Sequence, residues 1–152
     1  MEIERKFTVK QLPEHLESYA HSEIMQAYLC TNPVMRIRKN GDTYTFTYKG
    51  SGMMMREEYN LPLTAEAFTH LLPKADGHII RKTRYLIPLA EDGLTAELDI
   101  FESPKQLIMA EVEFPDEKKA LSFTPPAWFD EDVTNNPAYH NSRMSEESEI
   151  TP

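Results

Sequence analysis

With a single cysteine, Cys30, the chain can form no disulfide within itself and no cysteine-rich zinc site. That fits a reducing compartment, and a cytoplasmic protein is the expectation. No apolar run approaches the roughly 20 residues needed to span a bilayer, and no basic-then-apolar leader precedes the first charged residues. Positive charge is also scarce. Lys and Arg total 16 against 25 Asp and Glu, for a formal net charge of −9. Such a balance argues against broad nucleic-acid or anionic-membrane binding. It leaves room for one small polyanion, provided the few cations gather on one surface. The five histidines form no ligand-spaced set. Gly50-Ser51-Gly52 lacks the spacing and the Lys-Ser or Lys-Thr ending of a Walker loop, and reads as a hairpin turn.

What the chain does have is charge at alternate positions. Read as a β-strand, Glu2-Ile3-Glu4-Arg5-Lys6-Phe7 puts Glu2, Glu4 and Lys6 on one face and Ile3, Arg5 and Phe7 on the other. The pattern recurs at Arg36/Arg38, at Lys49, at Lys82/Arg84, at Glu97/Asp99 and at Glu111/Glu113. Between them lie Ile37, Leu98, Ile100, Val112 and Phe114, on the opposite face. A sheet closed around its charged face would make a tunnel lined with both signs, and helices would cover the apolar exterior. Arg5, Arg56 and Arg81 fall one residue out of phase and read as surface residues.

The ordered set of segments resembles a CYTH domain of the triphosphate tunnel metalloenzymes. Its amino-terminal Glu-x-Glu-x-Lys signature is Glu2-Ile3-Glu4-Arg5-Lys6 here, and the resemblance continues nearly to the end of the chain. It runs through Gln26-Ala27-Tyr28-Leu29, Arg36-Ile37-Arg38, Thr47-x-Lys49-Gly50, Arg56 to Pro62, Lys82-x-Arg84, Asp99-Ile100-Phe101, Glu111-Val112-Glu113-Phe114 and Tyr139-His140-Asn141-Ser142. The resemblance implies an α+β protein, a closed antiparallel barrel of about eight strands with a few helices outside. It implies metal-dependent hydrolysis of inorganic tripolyphosphate or a small organic triphosphate, with one or two Mg²⁺ or Mn²⁺ ions.

On this resemblance Glu2, Glu4, Asp99, Glu111 and Glu113 would hold metal, and Lys6, Arg36, Arg38, Lys49, Lys82 and Arg84 would hold phosphate. Hard divalent cations prefer oxygen ligands, and Arg forks match phosphate oxygens. Lys6 and Lys82 are the candidates for proton transfer. Glu58, Glu97 and Tyr28 are additional candidates. Asn60, Asn135, Asn136 and Ser103 depart from the family pattern and bear on which substrate is selected. An adenylate cyclase of the same family is the nearest rival, and a non-catalytic polyphosphate-binding module the rival from another class. No nucleic-acid or membrane partner is expected, and a homodimer is left open.

Hairpin signals at Asn40-Gly41 and at 91–93 separate runs of strand, and Thr64 is placed to cap a helix through Leu72. A short helix is expected over 10–16, with Pro13 in its first turn. Residues 115–120 are expected to hold a helical turn, and Trp128-Phe129 to anchor a Pro-rich connection to the barrel. The domain is expected to span residues 1–144, with 145–152 a flexible acidic tail.

Overall fold

The structure, a computed structural model, describes residues 1–91 and 93–146. Ten strands follow the chain: β1 Glu2–Val9, β2 His21–Thr31, β3 Val34–Asn40, β4 Thr43–Lys49, β5 Met55–Arg56, β6 Glu58–Leu63, β7 Asp76–Pro88, β8 Thr95–Ser103, β9 Leu107–Glu113 and β10 Phe129–Asp132. Among the described residues there are also three short α-helices, α1 Ala65–Leu71, α2 Glu117–Ser122 and α3 Asn141–Glu146.

All strand pairings are antiparallel, in the order β10-β1-β9-β8-β7-β2-β3-β4-β6, and β5 pairs with β1. Only Glu57 separates β5 from β6, so one continuous segment joins β4 on one side to β1 on the other. Glu2 opposes Arg56, Ile3 opposes Met55, and the Glu4 amide donates to Met54 O at 3.0 Å. This seam nearly closes a barrel whose staves are β1, β9, β8, β7, β2, β3, β4 and the β5–β6 segment. Asn40-Gly41 makes the β3–β4 turn as expected, Gly41 taking φ of 58°, where a side chain is disfavoured.

The alternation read from the sequence decides what faces outward. Ile3, Phe7, Leu98, Val112 and Phe114 form one external cluster with Phe123 and Phe129, beneath α2 and the connection that follows it. The Phe129 ring lies 4.8 Å from that of Phe7, so the Pro-rich segment is pinned to the barrel. Ala27 and Ile37 form a second cluster, covered by Phe68 of α1. The Thr64 hydroxyl accepts from the Ala67 amide and starts α1 where the sequence placed it.

A third cluster was not foreseen. Tyr28, Ile80, Phe101, Met109, Val133 and Met144 pack together, and Phe101 and Met109 share a face with Asp99 and Glu111 two residues away. One end of the lumen is therefore apolar and filled, and α3, packed on β7 and β2, lies across it. Gly77 makes room for it: a Cβ there would stand 2.1 Å from Ser145 O.

Several expectations are corrected. Residues 10–16 form no helix, because Pro13 and the turn after it precede only one 3₁₀ turn, Leu16–Ser18. Ser145 and Glu146 belong to α3, with Ser145 buried, and the rest of the expected tail lies outside the described residues. Arg5 is not a plain surface residue. Its guanidinium donates to Ala120 O and to Asp132, and stands 5.0 Å from the Phe7 ring centroid, tying α2 and β10 to β1. Among the described residues no helix is long and apolar enough to cross a membrane.

Candidate active site

Strand register brings the charged side chains together. Glu4 lies opposite Glu113, and Lys6 opposite Glu111. Glu111 in turn opposes Glu97 on β8, and Arg84 opposes Asp99. Arg38 faces Gln26, Arg36 faces Tyr28, and Lys49 faces Glu58. Their side chains bound one cavity of about 310 Å³. Its wall carries seven cationic residues (Lys6, Arg36, Arg38, Lys49, Arg56, Lys82, Arg84) and six carboxylates (Glu2, Glu4, Glu58, Glu97, Glu111, Glu113), with Tyr28 beside them.

One expected site residue, Asp99, and one expected surface residue, Arg56, sit differently from expectation. Asp99 is absent from the wall, with no exposed surface. Its Oδ1 accepts from Arg84 Nε at 2.7 Å, and its Oδ2 from Arg84 Nη2 at 2.9 Å and from Lys82 Nζ at 2.7 Å. Both oxygens are thus committed to cations, and Asp99 anchors Lys82 and Arg84 from below. Arg56, expected on the surface, lines the cavity instead. It shares phase with Glu58 once the two-residue strand β5 is paired to β1 across the seam, and its Nε donates to Gly50 O at 3.1 Å.

The carboxylates divide into those held by cations and those crowded by one another. Lys6 Nζ binds Glu111 at 2.7 Å and Glu4 at 3.2 Å. Against burial, which acts to lower it, these two carboxylates hold the Lys6 ammonium well above its usual range. Glu111 is held well below the usual carboxylate range: burial acts to raise it, but Lys6, Arg84 and Lys82 prevail. Glu97 and Glu113 are pushed up, by burial first and then by neighbouring carboxylates. Burial and a hydrogen bond shared with Glu58 push Glu2 up to about 8. Lys49 sits between that pair, 3.0 Å from Glu2 and 3.3 Å from Glu58.

Lys82 behaves oppositely to Lys6. Burial, only partly offset by Asp99 and reinforced by Arg84 and Arg38, lowers it to about 7. Burial, Arg36 and Arg84 also lower Arg38, to about 9. Cations stacked this closely in a dry wall favour the approach of an anion. Arg36 shows the same demand in its hydrogen bonding. Its Nη2 donates to Thr47 Oγ1, but its Nε is buried with no partner.

The site also recruits neutral residues. Thr47 donates to Asn60 Oδ1 at 2.6 Å, and Asn60 donates to Glu58 at 2.9 Å, so a chain of hydrogen bonds runs from Arg36 to the Glu2–Glu58 pair. Asn60, singled out as a departure, is therefore part of the wall. Ser103, another departure, is not: its hydroxyl donates to Ile79 O across the β7–β8 pair. Asn136 caps the turn at Pro137–Tyr139 by accepting from the Ala138 amide, and is not among the residues that line the cavity. With Val34, the polar residues Asn40, Thr43, Thr45, His140, Asn141 and Ser142 complete the lining. None of these six carries a charge pattern that sequence alone would flag, apart from the quoted Tyr139 to Ser142 segment.

The donor chemistry suits a hard divalent cation, since the crowded groups are all carboxyl oxygens and several are pushed toward protonation. The cage is not ready-made. Among the described residues no three His, Cys, Asp or Glu side chains converge closely enough to form one.

Comparison with known proteins agrees with this geometry. The family model of the CYTH domain matches residues 1–122. The chain belongs to the CYTH family. An inorganic triphosphatase from Nitrosomonas europaea is 38% identical over 148 residues, covering 95% of this chain and 96% of its own. An inorganic triphosphatase from Acetivibrio thermocellus is 31% identical over 150 residues, covering 94% and 92%. A crystal structure of an inorganic triphosphatase superposes with a TM-score of 0.69 at 35% identity, over 97% of this chain and 95% of the other. The CYTH match ends at residue 122, before α3, whereas the Nitrosomonas europaea relative matches over 95% of this chain.

Proposed function

We propose that this CYTH protein is a metal-dependent triphosphatase acting on inorganic tripolyphosphate or a small organic triphosphate, with Mg²⁺ or Mn²⁺ as its metal. The observation that carries the reading is the cavity wall itself: seven cations face a space of about 310 Å³, and the buried Nε of Arg36 lacks a partner. A linear triphosphate meets this demand along its length. Arg36, Arg38, Arg84 and Arg56 offer forked donors, and Lys6, Lys49 and Lys82 point charges.

Glu2, Glu4 and Glu113, with Glu97 and Glu111 adjoining, are the residues that would hold the metal. A bound divalent ion supplies charge neutralisation and a water acidified from about 15.7 toward 7. Lys6 keeps its proton and binds phosphate. Lys82, near 7, is the wall cation able to hold or release a proton at neutral pH. Asp99 fixes Lys82 and Arg84 in place, so the phosphate chain is aligned by groups whose geometry is set before it arrives.

Inorganic tripolyphosphate should be cleaved at least as well as ATP, giving phosphate and diphosphate, and chelator should abolish the activity. Incubation with each substrate and each metal, following phosphate, diphosphate and cyclic AMP in parallel, checks this. Cyclic AMP as the main product, with tripolyphosphate untouched, would establish the cyclase. Tight binding without product would leave the binding module.

A second expectation concerns protons. Glu2 sits at about 8, so at pH 7 it is mostly protonated, and it gives up that proton when a divalent cation is bound. Metal affinity should therefore rise with pH up to about 8 and then level off. Calorimetry in two buffers of different ionisation heat should show proton release at pH 7 that fades by pH 9. Equal release at both values would remove Glu2 from the metal set.

A further inference from the structure

We infer that the buried amides of Gln26 and Asn141 form a neutral relay that positions the phosphate-binding cations Arg38 and Lys82, so that the site is complete only when α3 is docked. Gln26 has no exposed surface, and every hydrogen-bonding capacity of its side chain is used. Its Oε1 accepts from Arg38 Nε at 2.9 Å and Nη2 at 2.7 Å. Its Nε2 donates to Tyr28 OH at 3.0 Å and to Asn141 Oδ1 at 3.0 Å. That same Asn141 oxygen accepts from Lys82 Nζ at 2.8 Å. One chain of contacts thus runs from β3, through β2 and the first residue of α3, to β7.

The chemistry of the relay matters as much as its reach. Carboxylates at these two positions would hold the cations equally well, and would also cancel charge intended for phosphate. Amide oxygens orient Arg38 and Lys82 without adding a further negative charge beside them. The amide orientation is decided by the network, because Gln26 must accept from Arg38 on one side and donate on the other. α3 contributes this contact from outside the barrel, held by buried Met144 and by the close approach of Ser145 to Gly77. Neither Gln26 nor Asn141 needs to touch substrate, so both are positioning residues.

The inference rests on the triphosphatase reading, and two measurements keep the two apart. Tripolyphosphate binding is measured by calorimetry in chelator, and KM and kcat are measured with metal, for the wild type and for Asn141→Ala and Asn141→Asp. Asn141→Ala should weaken binding and raise KM by about tenfold or more, the range for a hydrogen bond to a charged group, with kcat changed less. Asn141→Asp keeps the volume and the Lys82 contact but adds a negative charge, and should weaken binding at least as much while melting like the wild type. Wild-type binding and KM in the Asp variant would overturn the relay, whatever the Ala variant does to stability. Weakened binding in both variants, with wild-type melting in the Asp variant, supports it. A wild-type protein that neither binds nor cleaves tripolyphosphate would instead remove the triphosphatase reading itself.

Discussion

Asp99→Asn should lower the melting temperature by roughly 6–20 °C and nearly abolish turnover, the largest combined loss expected from one atom-for-atom exchange in this barrel. Removing one partner of a buried ion pair costs on the order of 3–5 kcal/mol, and each kcal/mol shifts melting by about 2–4 °C in a domain of this size. Asp99 is fully buried and compensates both Lys82 and Arg84. Burial acts to raise its carboxyl, yet Arg84 and then Lys82 hold it below the usual range. The substitution leaves the Lys82 ammonium and the Arg84 fork sharing one acceptor oxygen where a carboxylate stood, with Arg84 retaining Glu97 at 3.0 Å and Lys82 left with no ion-pair partner among the described residues. Thermal melting in chelator is the decisive measurement. A direct metal ligand among crowded carboxylates would become more comfortable there when neutralised, so a variant as stable as the wild type without metal would return Asp99 to the ligand set.

The contrast between Asp99 and its neighbours shows what the sequence could convey. A strand has a period of two, so charges at i and i+2 fall on one face whatever their later use. The charged lumen and the barrel around it were legible from Glu2, Glu4, Arg36, Arg38, Glu111 and Glu113 for that reason. The period does not say whether a carboxylate meets a metal or a guanidinium. Asp99 and Glu97 have the same spacing, but only Asp99 is sealed beneath Arg84 and Lys82. Arg56 was misplaced because its phase is set by a two-residue pairing across the seam. Gln26, Thr47, Asn60 and Asn141 carried no charge signal. Their roles arise from residues distant in sequence: Gln26 and Asn141 are 115 positions apart yet share a hydrogen bond. Phe101 and Met109 extend the charged face into apolar core, because that end of the lumen is filled and capped by the chain's last described helix.

Glu4→Gln should separate metal binding from folding. Glu4 is buried, lies directly opposite Glu113, and is two residues from Glu2 on the same face, so it stands at the centre of the crowded carboxyl group. It is also one of two partners of Lys6, but the weaker one, at 3.2 Å against 2.7 Å for Glu111. Neutralising Glu4 therefore leaves Lys6 compensated, and the melting temperature in chelator should move by no more than about 4 °C, the shift expected for a loss near 1 kcal/mol. Turnover at limiting metal should fall by about 100-fold or more, since even residues that merely support a metal ligand cost 10- to 100-fold. Raising the metal concentration should restore part of it, through KM for metal more than through kcat. Glu111→Gln offers the control. It strips Lys6 of its closer partner and Arg84 of a neighbour at 3.8 Å, so it should lose stability as well as activity, and added metal should not recover the stability. If Glu4→Gln instead melted far below the wild type in chelator while keeping normal activity at limiting metal, Glu4 would be a structural partner of Lys6, and the metal would have to be sought at Glu2, Glu97 and Glu113.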